Sequence, residues 1–455
     1  MRCAETEMSS PSPPRREVRR VYPRGRSGWR TDLAALVGAL GLEPGVDPFV
    51  LLDGEGWHAR TLAFDPETTV AVDDDSPFEA LRRAFVPEMG AESPTTASGS
   101  PFGPALFGYL SYDAVRHLEH LPELARDDLN LPVARFFLPR YVVGEGPGGE
   151  LWISHPPGED TEFILRALRQ ARPLPEPDKP ASPRPVSSTL GREGYVRAVE
   201  RVKEYVRAGD VFQVNVSQRF EMPYRGDPLA LYGALRKRNP SPFGGMVSFP
   251  GFVAVSSSPE KLVSLSGRRA STRPIAGTYP KAAGAGAALL LDPKEKAEHA
   301  MIVDLQRNDL GRSSAYGTVR VEEFMATEEY SHVVHIVSEV AGRLAPDKDA
   351  VDLLAGMFPG GTITGCPKVR CMEIIEQLEP TRRGFYTGSF GYLGLDGASM
   401  DMNIAIRTIL LKDGVAYAQA GGGIVADSVP EREYRESVHK AAALLECLGA
   451  EIPPV

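Results

Sequence analysis

Between Phe358 and Gly384 the chain reads FPGGTITGCPKVRCMEIIEQLEPTRRG, and this run leaves the backbone few choices. Gly360, Gly361 and Gly365 permit turns and close backbone approach that a side chain would block. Pro367 suits the first turn of a helix, where a missing N–H is no loss. The expectation is a tight polar turn that feeds a helix. The free N–H groups at the start of that helix, with Lys368, favour a bound anion, and Thr362 and Thr364 add hydroxyls. The run is not a Walker A loop, because no Gly-Lys-Ser/Thr follows at the required interval. On these residues alone, a capped loop and a ligand site are equally good readings.

With 455 residues the chain can bury a large core, and length suggests two or three domains. Its 51 basic and 60 acidic residues give a formal charge of −9, which argues against a nucleic-acid surface. Cys3, Cys366, Cys371 and Cys447 form no CxxC pair and have no histidine cluster beside them, so zinc is not expected. No apolar run is long enough for a bilayer, and a cytoplasmic, reducing location is expected. Residues 1–27 are basic and proline-rich without the apolar core of a signal peptide, and read as a disordered leader. Residues 28–172 read as an α/β region. There TDLAALVGALGL has helical spacing with Thr31 or Asp32 as cap, and PFVLLDG and GELWISH look like strands. Residues 173–188 form a proline-rich linker. In the remainder, 189–455, REGYVRAVERVKEYVRAG reads as a helix ended by glycine, and FGGMVSF, GFVAVSSS and KLVSLSG as strands.

Two acidic clusters stand on expected helices. In LDPKEKAEHAMIVDLQRNDLG, Asp292 caps, Pro293 opens the helix, and Glu295 and Glu298 share a face at i, i+3. In PEREYRESVHK, Pro430 opens the helix, Glu433 and Glu436 share a face, and Lys440 follows Glu436 at i+4. By spacing alone these are a solvated acidic face and a plain ion pair.

Taken with GDVFQVNVSQRF (209–220), SSSPEKL (256–262), TRPIAGT (272–278), HVVHIVSEVAGRL (332–344), MDMNIAIRT (400–408) and AGGGIVADS (420–428), these segments change the reading. From about residue 190 to 451 the chain resembles the chorismate-binding core shared by anthranilate synthase component I and aminodeoxychorismate synthase component I. The resemblance implies an α+β fold of two packed β-sheets flanked by helices, with N- and C-terminal parts in one body. It implies Mg2+ held by Glu298 and Glu436, with Lys440 assisting at the same substrate carboxylate. Arg407 would grip the other carboxylate, and Tyr386, Gly277, Thr278, Gly421, Gly422 and Gly423 would contact the substrate. Glu260 matches the family's acid/base, and His335 and Thr362 match residues that position the ring. Gln213 stands where relatives that add water carry a lysine base, so ammonia is the implied nucleophile, supplied by a glutamine amidotransferase subunit on a separate chain. Ala276 replaces the lysine of typical aminodeoxychorismate synthases, which is the anthranilate synthase pattern. Gly360, Thr364 and Gly422 match the aminodeoxychorismate side, as does LLDG (51–54) in place of the LLES of tryptophan feedback sites. The expected product is 4-amino-4-deoxychorismate.

Overall fold

Local chemistry starts and stops the helices. Asp32 accepts from the N–H groups of Ala34 (3.1 Å) and Ala35 (3.4 Å) and opens the helix Leu33–Ala39. The helix Gly191–Ala208 stops at Gly209, whose φ of 81° is left-handed. Asp292 Oδ1 accepts from Glu295 N at 3.2 Å, so the cap and proline expected for Pro293–Gly311 are both in place. Pro430 opens Pro430–Cys447. The computed structural model describes residues 16–21, 32–72, 76–84, 103–146, 149–177, 182–282, 284–329 and 333–454.

The strands among these residues join one hydrogen-bonded network with two wings. One wing runs from Phe49–Leu52 through Phe243–Phe249, Phe252–Ser258, Thr408–Lys412 and Val415–Ile424 to Gln213–Pro223. The other runs from Ala105–Leu110 through Ser389–Gly394, Ser399–Asn403, Lys261–Ser266 and Arg269–Thr272 to Val333–Arg343. The long strands Arg60–Val72 and Ala134–Glu145 pair with each other and tie the wings together. The two expected sheets are thus continuous in hydrogen bonding, within the expected α+β class.

Three apolar clusters define the layers. One, with Val50, Phe107, Tyr109, Phe249 and Phe390, fills the space between the wings. A second covers the outer face of the first wing with residues from Leu33–Ala39, Gly191–Ala208, Pro228–Arg238 and Pro430–Cys447. The third covers the second wing with Leu353, Leu354, Val303 and Leu310. The wing strands alternate between these cores, so both faces are buried.

Residues N- and C-terminal to the expected linker share all three of these clusters, so the chain does not divide into separate cores at 173–188. The linker's end is docked: Ser187 and Ser188 pair with Glu221 and Phe220. One expectation is corrected. Glu17–Val21, inside the expected disordered leader, forms a strand antiparallel to Leu151–His155. The edge of Leu151–His155 offers unpaired backbone groups, and EVRRV satisfies them while leaving its charged side chains outward. The rest of that leader lies outside the described residues, except Arg16. No helix among the described residues is long and apolar enough to cross a membrane.

Candidate active site

The turn Gly361–Ile363 and the helix Lys368–Leu378 follow the sequence expectation. Their glycines serve internal packing, however, rather than ligand approach. A Cβ on Gly361 would stand 2.4 Å from Leu305 Cδ2, one on Gly360 2.7 Å from Ile404 Cδ1, and one on Gly365 2.1 Å from the Gln213 carbonyl. Thr364 is fully buried and donates to Gly360 O at 3.0 Å. Lys368 does not face a ligand either. Its ammonium is buried against Asp309 Oδ2 at 2.8 Å, which supplies the counter-charge the sequence reading assigned to an anion. Burial pushes the Lys368 pKa down, and Asp309 opposes the shift.

What holds the turn in place is a buried pair that the sequence reading passed over. Arg383 donates to both oxygens of Glu379, to Ile363 O at 2.8 Å and to Asn215 O at 2.8 Å. Glu379 also accepts from the N–H and hydroxyl of Ser217. Asn215 returns bonds to the turn, donating its N–H to Thr364 O and its amide to Thr362 O. The turn is therefore bolted to the strand Gln213–Pro223. Tyr386 packs under the same guanidinium, 5.6 Å from its ring centroid, and burial pushes its phenol up to about 12. The signal available in sequence was the Arg383–Glu379 spacing of i, i+4.

This scaffold sets Thr362 beside Glu260. Glu260 follows the strand Phe252–Ser258; its carbonyl accepts from Ile404 N at 3.0 Å, and Ser257 N donates to Arg407 O at 3.0 Å. The carboxyl and Arg407 thus rise from adjoining backbone segments. Glu260 is 6% exposed and its Oε1 has no hydrogen-bond partner among the described residues, as is true of Thr362 Oγ1. The two groups are near enough for Thr362 to lower the Glu260 pKa slightly, without a well-formed hydrogen bond. Burial dominates and raises it to about 7. Arg407 is partly buried, at a φ of 49°, with one bond to Asn239 Oδ1 at 3.2 Å and no carboxylate partner among the described residues. Its charge is felt at His335, whose pKa is lowered first by burial and further by Arg407. His335 Nδ1 lies 3.0 Å from Gly277 O. Gly277 forms a bulge at φ 67° between Ala276 and Thr278, and a side chain there would meet Glu295 Oε2 at 2.9 Å. The Thr278 side chain lies outside the described part of the chain.

The acidic helices flank this centre. Of the three glycines in AGGGI, Gly421 and Gly423 are kept small by the neighbouring strand, through Val216 O and the Gln213 amide. Gly422 opens the other way, with Glu433 Oε2, Lys440 Nζ and Glu436 Oε1 each 3.7–3.9 Å from where a Cβ would be. Lys440 pairs with Glu436 at 2.8 Å and donates to Gly421 O at 3.2 Å. Glu298 is partly buried on Pro293–Gly311, and this helix packs on the turn Gly361–Ile363, which in turn packs on Val415–Ile424. No cage of three or more His, Cys, Asp or Glu forms among the described residues. Two partly exposed glutamates suit Mg2+ better than a cation that needs an all-protein cage, since Mg2+ usually keeps several waters.

Comparison with known proteins decides the family. A family profile described as chorismate binding enzyme matches residues 47–446. The chain belongs to the chorismate binding enzyme family. Anthranilate synthase component 1 of Thermus thermophilus is 48% identical over 361 residues, 76% of this chain and 78% of that one. Aminodeoxychorismate synthase component 1 of Bacillus subtilis is 42% identical over 424 residues, 89% and 88% of the two chains. The crystal structure of anthranilate synthase component I from Streptococcus pneumoniae superposes with a TM-score of 0.75 at 32% identity, covering 85% of this chain and 92% of that one. Of the candidate residues in this chorismate-binding enzyme, Thr362 stands beside Glu260 and Arg407 is felt at His335.

Proposed function

We propose that this enzyme aminates chorismate with ammonia from a glutamine amidotransferase subunit and releases 4-amino-4-deoxychorismate. The observation that carries the reading is the Glu260 carboxyl. It is buried, lacks a partner at Oε1 among the described residues, and stands across adjoining backbone from a partly buried guanidinium that has no carboxylate partner among them. Near neutrality such a carboxyl still holds its proton and can give it up. Glu260 protonates the C4 hydroxyl, the C4–O bond breaks, and water leaves. Ammonia forms the new C–N bond, and the proton shed by nitrogen restores Glu260. Arg407 supplies a bidentate donor for a substrate carboxylate, and Thr362 and His335 line the ring. Ala276 offers no amine for a covalent adduct, so attack is direct. Gln213 packs on Gly423 and cannot take a proton from water, which supports ammonia over water as nucleophile. Glu298 and Glu436 would hold Mg2+, which neutralises a substrate carboxylate when bound.

The choice of C4 is supported by the Asp53 region. There the tryptophan-site signature is replaced by LLDG, and Asp53 is taken up by Arg60 (2.6 Å), Arg236 (2.7 Å) and Tyr232 (2.9 Å). Attack at C2 with direct release of anthranilate is the second reading, favoured by the higher identity to the Thermus thermophilus anthranilate synthase. Incubation with chorismate, ammonium salt and Mg2+, followed by chromatography and mass spectrometry, separates them. Accumulation of an aminated intermediate that only an added lyase converts to 4-aminobenzoate supports the first reading. Anthranilate and pyruvate released by the chain alone establish the second.

A further inference from the structure

Arg407 is held at both ends. Its backbone is left-handed, at a φ of 49°, which a residue with a side chain keeps only where its surroundings impose it. Ser257 N donates to Arg407 O at 3.0 Å and fixes that end. At the other end the guanidinium is partly buried, meets no carboxylate among the described residues, and donates from Nη1 to Asn239 Oδ1 at 3.2 Å. Ser257 reaches this end too. Its hydroxyl donates to Asn239 O, and its oxygen accepts from Asn239 Nδ2 at 3.2 Å.

The Asn239 amide therefore has one orientation. A guanidinium only donates, so the atom facing Arg407 is the amide oxygen. A backbone carbonyl only accepts, so Ser257 gives its proton to Asn239 O and leaves its own oxygen for Nδ2. Ser241 backs the arrangement, donating to Asn239 O at 3.2 Å and lying 3.1 Å from Ser257 Oγ. The chain also fixes Asn239 itself. The helix Pro228–Arg238 ends on it, its N–H goes to Leu235 O at 2.8 Å, and Pro240 follows. The same helix sends Arg236 to Asp32 and Asp53, where that guanidinium is fully matched by carboxylates. One turn later, Arg407 is met by a neutral amide.

We infer that Asn239 is a positioning residue for Arg407, aiming the guanidinium through a neutral oxygen so that its charge stays available to a substrate carboxylate. The inference rests on the proposed role of Arg407 in holding that carboxylate. A carboxylate at position 239 would hold the guanidinium at least as firmly, and would also neutralise it.

Positioning and plain support of the fold rank two variants in opposite order. Asn239→Asp and Asn239→Ala, each in the full-length chain, are assayed with chorismate, ammonium chloride and Mg2+, and the urea midpoint of each is measured alongside. Asn239→Asp keeps the side chain's size. It is expected to unfold at the wild-type urea concentration or above it, yet to raise KM for chorismate about 30-fold, as when a charge-assisted bond to the substrate is given up. Asn239→Ala removes one hydrogen bond and should raise KM about fivefold. In both, kcat should stay within about twofold, because the carboxylate is held alike before and during the chemistry. Support of the fold alone would make Ala the worse variant, with its loss following the urea midpoint. A KM in Asn239→Asp no higher than in Asn239→Ala overturns the proposal. Ser257→Ala gives a second check, since it keeps the N–H on Arg407 O and unlocks the Asn239 amide. It should raise KM about threefold, and an unchanged KM overturns the proposal as well. Anthranilate or isochorismate as the wild-type product overturns the functional reading but leaves the KM order to decide this proposal, since either reaction still needs a held carboxylate.

Discussion

Two buried charged clusters in this molecule have opposite character. Around Asp53, every charge meets its complement: Arg60 and Arg236 on the carboxylate, Tyr232 on its second oxygen, Asp32 on Arg236 at 2.6 Å, and Glu145 on Arg60. Around Glu260, complements are missing. Among the described residues the carboxyl has an orphan oxygen, Thr362 an orphan hydroxyl, and Arg407 no acid. The first arrangement locks one fold; the second costs stability and is worthwhile only where something else binds. Unmet polar demand, rather than charge or burial as such, is what separates site from scaffold here.

Exchanging the carboxyls for amides is the sharpest way to break that comparison. Glu260→Gln should lower kcat by about 10²–10⁴-fold without loss of stability, because it removes a buried ionisable group with no full partner. Asp53→Asn should do the reverse. It leaves two guanidiniums short of a charge and should cost about 2–3 kcal/mol, with kcat per folded molecule nearly unchanged; both guanidiniums keep some solvent, which holds the cost toward the lower end for buried pairs. Urea denaturation beside steady-state kinetics reads both. Equal effects of the two variants on activity would remove the distinction.

Arg407→Met comes next in size. Losing a charge-assisted bond worth about 1.5–3 kcal/mol should raise KM for chorismate by about 10–100-fold. Stability should hold or rise, since a partly buried guanidinium with no acid among the described residues goes with it. A Met variant that unfolds at lower urea and keeps its KM would mark Arg407 as scaffold.

How much of this contrast is readable in sequence follows from its range. Strands such as FGGMVSF and KLVSLSG, the caps at Asp32 and Asp292, and the Gly209 stop are local and appear as the pattern predicts. The candidate residues Glu260, Thr362, Arg407 and His335 were named from motifs in four separate segments, and the fold brings Thr362 to Glu260 and Arg407 toward His335. Pairings were not legible. Nothing near Lys368 in the chain announces Asp309, 59 positions earlier, so a residue that looks like an anion ligand is already neutralised. Likewise the glycines at 360, 361 and 365 read as room for a ligand, yet the space is filled by Ile404, Leu305 and the Gln213 carbonyl. The docking of Glu17–Val21 depends on a sheet edge more than 100 residues away.

A smaller effect lies in the pH profile. Burial raises the Glu260 pKa to about 7, so its proton is retained up to that pH and lost above it. A reaction that needs the acid should show kcat falling as pH rises through about 7. Thr362 pulls this pKa down, so Thr362→Val should carry the descending limb to higher pH. The same sign governs stability: the folded state binds the proton more tightly than the unfolded chain, so the contribution of Glu260 fades between its ordinary range and pH 7, and Glu260→Gln should flatten that decline. A limb that ignores Thr362→Val would detach it from Glu260. The smallest expected effect is none at all: tryptophan should not inhibit, because Asp53 is already fully engaged. Calorimetric binding of tryptophan at low micromolar concentration would contradict this and strengthen the anthranilate reading.

The account stands or falls on what the open cluster does to chorismate. Wild-type chain with chorismate, ammonium chloride and Mg2+, sampled with no lyase present, should accumulate an aminated species with the mass of 4-amino-4-deoxychorismate, and Glu260→Gln should make almost none. Isochorismate as the main product, or an undiminished yield from Glu260→Gln, would contradict the claim that an unpartnered buried acid drives amination here.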